Sequence, residues 1–105
     1  MLRIYEDMLR VIATMRTTVD AIERRDRDLG NQLRRAANSV VLNISEGSGS
    51  FGGVRTARYR TALGSARETV ACLRAAEAFG YVQGVGPAVM TDMNKVIGTL
   101  VRVAV

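Results

Sequence analysis

A chain of 105 residues has room for one hydrophobic core and not two, so a single domain over residues 1–105 is expected. Its one cysteine, Cys72, excludes an internal disulfide, and the lack of histidine removes the usual general base, the usual zinc or haem ligand and the base partner of a nucleophilic Ser or Cys. The formal charge of +5 rests almost wholly on arginine, Lys95 being the lone lysine, and an apolar content of 48% with no Trp, two Phe and three Tyr leaves a core of Val, Leu, Ile, Met and Ala, which suits packed helices.

The first predicted helix carries Tyr5, Met8, Ile12, Met15, Val19 and Ile22, whose steps of three and four place them on one face. The charged stretch Glu23 to Asp28 interrupts that stripe. Asp28 is placed to cap the second helix, in which Leu29, Leu33, Ala36, Val40 and Ile44 resume the spacing as far as about Glu46. Gly47-Ser-Gly-Ser-Phe-Gly-Gly53 then reads as a flexible connector, the most mobile stretch of the chain. A third helix is predicted from about Val54 to Phe79 with Tyr59, Leu63, Ala66, Val70 and Leu73 inward, followed by a turn at Gly80, Gly84 and Gly86. Pro87 fits the first position of a fourth helix. There Val89, Met93, Val96, Leu100 and Val103 line one side, and Met90, Ile97 and Val101 an adjoining one. With Val40, Val41, Leu42 and Ile44 wrapping most of the second helix, this is more apolar surface than a monomeric bundle covers, and a subunit interface is expected.

Charges at Arg3, Glu6, Asp7 and Arg10 interrupt the opening residues, and no run is apolar enough to span a bilayer, so the chain is expected in the cytoplasm with no membrane partner. No cofactor and no enzymatic activity are expected. Cys72, beside Val70 and Leu73, reads as a small core residue. The unusual polar residues lie where the second helix ends and the third passes it. Asn43, Ser45 and Glu46 sit among apolar neighbours, and Gly64 occupies mid-helix, where glycine costs roughly 1 kcal/mol unless another helix comes close. Close approach at Gly64 is expected to let Asn43 and Glu46 hydrogen-bond with Ser65 or Glu68, because an unpartnered half-buried polar group costs roughly 1–3 kcal/mol.

These two blocks also carry a resemblance. Leu33, Arg35, Ala36, Ser39, Val40, Asn43, Ile44, Glu46 and Gly47, then Ala62, Gly64, Ser65, Ala66 and Glu68, closing with Phe79-Gly80-Tyr81, form a pattern that resembles the four-helix bundle proteins encoded in intervening sequences of bacterial 23S rRNA genes. Their superfamily includes the accessory variability determinant of diversity-generating retroelements. The resemblance implies an antiparallel up-down-up-down four-helix bundle, a ring-shaped homo-oligomer (a homopentamer), a basic surface and no catalysis. It further implies RNA or DNA as a partner, and a reverse transcriptase in the retroelement branch. Within it Asn43, Glu46, Gly47, Gly64, Ser65 and Glu68 are structural residues.

Residues 51–79 hold Arg55, Arg58, Arg60, Arg67 and Arg74 against Glu68 and Glu77, the footprint a polyanion needs. Arg60, Arg67 and Arg74 are seven residues apart and form a narrow stripe on the third predicted helix. The planar guanidinium fork can hold two phosphate oxygens at once, and a ring repeats each stripe in every subunit. Arg3, Arg10 and Arg24 make a similar row on the first helix, but Glu6, Asp7, Asp20, Glu23, Asp26 and Asp28 offset it. The five arginines of residues 51–79 are therefore the expected nucleic-acid contacts, dominated by the phosphate backbone and sensitive to salt, with few aromatics for stacking. The alternative is a passive oligomeric scaffold whose arginines bridge to acids of the next subunit.

Overall fold

The computed structural model describes residues 2–105; Met1, part of the expected domain, lies outside the described residues. These form five helices and no strand: α1 (Ile4–Thr14), α2 (Arg16–Arg25), α3 (Arg27–Ser48), α4 (Gly52–Ala78) and α5 (Pro87–Val103). The all-α expectation holds, but the expected four helices are five because the first is divided at Met15. That residue leaves helical geometry at φ −91° and ψ 10°. Its N–H still donates to the Val11 carbonyl and its own carbonyl accepts from the Val19 N–H, each at 2.9 Å, so a single residue rather than a loop joins α1 to α2. The bend coincides with a change of neighbour: α1 packs on α5 and α3, whereas α2 packs chiefly on α3.

The most extensive pairing is between α3 and α4. Its partners step in opposite directions along the two helices, Ser48 meeting Tyr59 and Ser39 meeting Ser65, which makes the pair antiparallel. The face α4 turns inward is built from small residues, Ala62, Ala66, Cys72 and Ala76, together with Tyr59, Thr69 and Leu73. Leu63 and Val70, expected inward, are only half-buried. Alanines let α3 lie close, and the fully buried Thr69 hydroxyl is satisfied within its own helix by donating to the Ser65 carbonyl at 2.8 Å. Met8, Val11, Ile22, Leu33, Val40, Ile44, Leu73, Met93 and Leu100 fill the centre, so all five helices share one core. An α-helix rises 1.5 Å per residue, so the 27-residue α4 spans roughly 40 Å, close to the 42 Å long axis of the molecule.

The caps differ from expectation. Asp26, not Asp28, caps α3: its Oδ1 accepts from the Leu29 N–H at 3.0 Å, while Asp28 lies in the first turn. The other Asp26 oxygen accepts from the Tyr81 hydroxyl at 3.1 Å, which ties the α2–α3 corner to the α4–α5 turn. Burial pushes the Tyr81 phenol up from its ordinary range and the Asp26 carboxylate adds to the effect. This contact therefore contributes fully below the unfolded tyrosine value, about 10, and is lost at higher pH. Tyr81→Phe is expected to lower the melting temperature slightly and Asp26→Ala to lower it more, because the second change also removes the cap; thermal unfolding of both variants at neutral pH checks the order.

The glycine-rich segment is shorter as a connector than the sequence suggested. α3 runs through Gly47 to Ser48 and α4 begins at Gly52, so only Gly49-Ser50-Phe51 lies between them. Gly52 (φ 56°) and Gly80 (φ 77°) take the left-handed conformation that glycine adopts without strain.

Candidate nucleic-acid interface

Successive residues of a helix turn by about 100°, so a seven-residue step nearly closes two turns, and Arg60, Arg67 and Arg74 recur on one side of α4. With Arg55 and Arg58 they are all exposed, but they differ in what holds them. Arg55 donates through Nε to the Gly47 carbonyl at 3.2 Å, and its guanidinium carbon lies 5.8 Å from the centre of the Phe51 ring. Arg60 donates through Nε to the Ala104 carbonyl at 3.0 Å, tying α4 to the end of α5. Arg58 pairs with Glu46 at 2.9 Å and Arg74 with Glu77 at 3.2 Å. Arg67 has no hydrogen-bonded or ionic partner among the described residues.

A bond to a carbonyl orients a guanidinium without cancelling its charge, whereas a carboxylate cancels it. The uncompensated charges of α4 are therefore Arg55, Arg60 and Arg67, while Glu46 and Glu77 offset Arg58 and Arg74. The structure brings together elements distant in sequence around the first two of these. Leu2, Ser48, Arg55 and Tyr59 line a shallow depression of about 260 Å³, and Ala104 meets Arg60, so the start of α4 lies beside the ends of α3 and α5 and Leu2, two residues before α1.

Of the row Arg3, Arg10 and Arg24, Arg10 is taken up in an ion-pair cluster, and Arg34 on α3 in another. Arg10 lies between the largely buried Asp7 and Asp92, with Nε 3.1 Å from the Asp92 carboxylate, and so joins α1 to α5. Arg34 on α3 takes Asp20 and Glu23 of α2. The hydrogen bonds from Arg10 hold the Asp92 carboxyl below its ordinary value against the opposing effect of burial. That contribution is present above the unfolded aspartate value, about 4, and is lost as pH falls further. In Arg10→Met the Asp7 and Asp92 carboxylates lose their shared cation and keep only Lys95, 4.0 Å from Asp92. The variant is expected to melt several degrees lower at pH 7, and the gap to narrow as pH falls below about 4, where the Asp92 contribution is lost; melting curves at three pH values test it.

The polar link between α3 and α4 runs through Ser39, which was not among its expected members. Ser65 donates to the Ser39 hydroxyl at 2.7 Å, and the Asn43 amide donates to the Ser39 carbonyl at 2.9 Å and its hydroxyl at 3.1 Å. Asn43 thus reaches Ser65 only through Ser39, and its buried Oδ1 has no partner among the described residues. Glu46 turns to Arg58, and Glu68 is exposed with no partner among the described residues. Gly64 does not mark the close approach: a Cβ built there meets nothing within 4 Å. Gly47 does, because a Cβ there lies 2.5 Å from Cε1 and 2.8 Å from Cδ1 of the buried Tyr59. The sequence signal for Ser39 was its place four residues before Asn43 on the same face.

A second depression, about 320 Å³, lies against the bend at Met15 between α1, α2 and α3, where Asp20 and Arg34 in its lining are already paired with each other. Cys72 is buried and apolar surroundings push its thiol up, as suits a core residue. Leu42 on α3 (59% exposed) and Val101 on α5 (44%) remain uncovered, whereas Met90 and Ile97 are half-buried. No helix among the described residues is long and apolar enough to cross a membrane. The sequence model of the family described as 23S rRNA-intervening sequence protein matches residues 2–101, nearly the whole chain. No curated protein and no solved structure matches it.

Proposed function

The chain belongs to the 23S rRNA-intervening sequence protein family, and from that premise we propose that it is a non-enzymatic accessory protein, a ring-shaped homopentamer that holds structured RNA by its backbone. In this reading α1 and α2 act as one bent rod, and with α3, α4 and α5 they make an up-down-up-down four-helix bundle. The observation that carries the RNA contact is the exposure of Arg55, Arg60 and Arg67 with no carboxylate among the described residues to cancel them. Each such charge that meets a phosphate releases a counterion, which lowers the slope of log affinity against log salt by about 0.7–0.9. A ring repeats the contacts, so weak single-subunit binding gains avidity. Leu42 and Val101 support assembly, as apolar side chains left in water by one subunit.

The experiment is binding of the purified protein to a structured RNA at two salt concentrations, with its mass in solution recorded alongside. An oligomer whose affinity falls steeply with salt is the expected result. An oligomer indifferent to RNA overturns the RNA reading and leaves a protein scaffold, a reading favoured by the carboxylates that already hold Arg58 and Arg74.

A further inference from the structure

The basic surface of α4 begins beside the most exposed aromatic of the chain. Phe51, the residue before α4, is 82% exposed, and Val54 one turn on is 59% exposed. Phe51 follows Gly49 and Ser50 and precedes Gly52 and Gly53, yet its ring has a fixed backing. The Arg55 guanidinium lies 5.8 Å from its centre and is itself anchored to the Gly47 carbonyl near the end of α3. A cation over one face of an aromatic ring leaves the other face free and close to a concentrated positive charge. From this point Arg60 and then Arg67 continue along α4, both without a carboxylate partner among the described residues.

We infer that Phe51 is a stacking platform for one unpaired base of a bound RNA, with Arg55, Arg60 and Arg67 taking the phosphates of the strand that leads away from it. Proteins that hold single strands combine a cationic track for the backbone with aromatic faces for the bases, and stacking tolerates any base because each has a π face. Both parts are present at the start of α4, next to the depression lined by Leu2, Ser48, Arg55 and Tyr59. The other exposed aromatic, Phe79, fits this role poorly. It already stacks on Tyr81 at 5.3 Å, and of the two cations nearby Arg25 lies over the Tyr81 ring and Arg74 is paired with Glu77. The inference rests on the RNA-binding reading above and adds that the RNA presents an unpaired nucleotide.

Two RNAs of equal phosphate number test it: a duplex, and a hairpin with a short overhang that carries 2-aminopurine, whose fluorescence falls on stacking. The wild-type protein should bind the overhang RNA more tightly and quench its probe. Phe51→Ala and Phe51→Leu should each weaken overhang binding roughly tenfold to a hundredfold and abolish the quenching, leave duplex binding unchanged and leave the mass in solution unchanged. Phe51→Trp should keep both affinity and quenching. The inference is overturned if leucine serves as well as phenylalanine, or if the variants weaken both RNAs equally. It is also overturned if they change the mass in solution, which makes Phe51 a subunit contact, or if they release the protein from phosphatidylserine vesicles while RNA binding stays intact. Salt-sensitive duplex binding with no effect at Phe51 sinks this inference alone; wild-type protein that binds neither RNA sinks the RNA-binding reading with it.

Discussion

Reversing Arg55, Arg60 and Arg67 to glutamate together is expected to weaken binding of structured RNA by at least about a hundredfold at low salt, since hydrogen bonds to charged groups are each worth about 1.5–3 kcal/mol and three are removed per subunit. The three are chosen because α4 leaves them uncancelled, whereas Arg74 already shares its charge with Glu77 and Arg58 with Glu46. Arg74→Ala should therefore weaken binding far less than Arg67→Ala. The salt dependence of whatever binding remains should flatten by nearly one logarithmic unit for each phosphate no longer held, which separates true phosphate contacts from a general change in net charge. Arg60 also donates to the Ala104 carbonyl and Arg55 to the Gly47 carbonyl, so the neutral donors Arg60→Gln and Arg55→Gln serve as controls that keep a hydrogen bond while removing the charge. Mass in solution decides between the two classes of function. A variant that stays assembled but releases RNA fits the accessory reading; one that falls apart with no RNA to release means that these arginines bridge subunits.

Gly47→Ala and Gly64→Ala are expected to act in opposite directions, although both replace a glycine inside a long helix. Alanine is favoured over glycine there by roughly 1 kcal/mol, and at Gly64 nothing opposes that gain, because the added methyl group meets no atom within 4 Å. At Gly47 the same methyl group enters the Tyr59 ring, which is 5% exposed and cannot swing out of the α3–α4 interface without exposing its own face. Overpacking of this kind costs about 1–3 kcal/mol, enough to outweigh the propensity gain. Chemical denaturation of the two single variants should show Gly47→Ala less stable and Gly64→Ala more stable than the parent. Shrinking the opposing side chain with Tyr59→Leu should recover part of the loss, a coupling of roughly 0.5–3 kcal/mol in a double-mutant cycle. Destabilisation at Gly64 would mean that a neighbouring subunit covers that position in solution.

Helix content and most of the inward stripes were legible in the sequence because both follow from short-range periodicity, although Tyr5, Ile12, Leu29, Leu63, Val70 and Val103 are only half-buried. The spacing of Met8, Met15, Val19 and Ile22, of Leu33, Ala36, Val40 and Ile44, and of Val89, Met93, Val96 and Leu100 identifies residues that are buried in the structure. The arginine surplus of residues 51–79 was equally plain, as was the lack of a histidine on which most enzymes rely. The family blocks were readable too, and the match over residues 2–101 agrees with them.

What the sequence could not decide were the quantities set by distance between segments far apart in the chain. Periodicity is the same on both sides of Met15, so the division of the first helix shows only in its neighbours, α5 and α3 for α1 and chiefly α3 for α2. A glycine in a helix signals a close approach or nothing at all, and only the position of Tyr59 separates Gly47 from Gly64. Asp26 and Asp28 are equally good caps by residue type; the difference is that Tyr81, which follows α4, reaches back to Asp26. Likewise five arginines look alike in a composition count, yet the fold puts two beside carboxylates, two beside carbonyl oxygens and leaves Arg67 with neither. The sequence by itself determined which residues are apolar, charged and periodic, hence the helices and the sign of the surface. The Arg74–Glu77 pair, three residues apart on one helix, was within reach of the sequence. Which of the other charges survive on that surface was decided by tertiary packing, because cancellation depends on proximity at a few ångströms and Glu46, Gly47 and Ala104 meet α4 only through the fold.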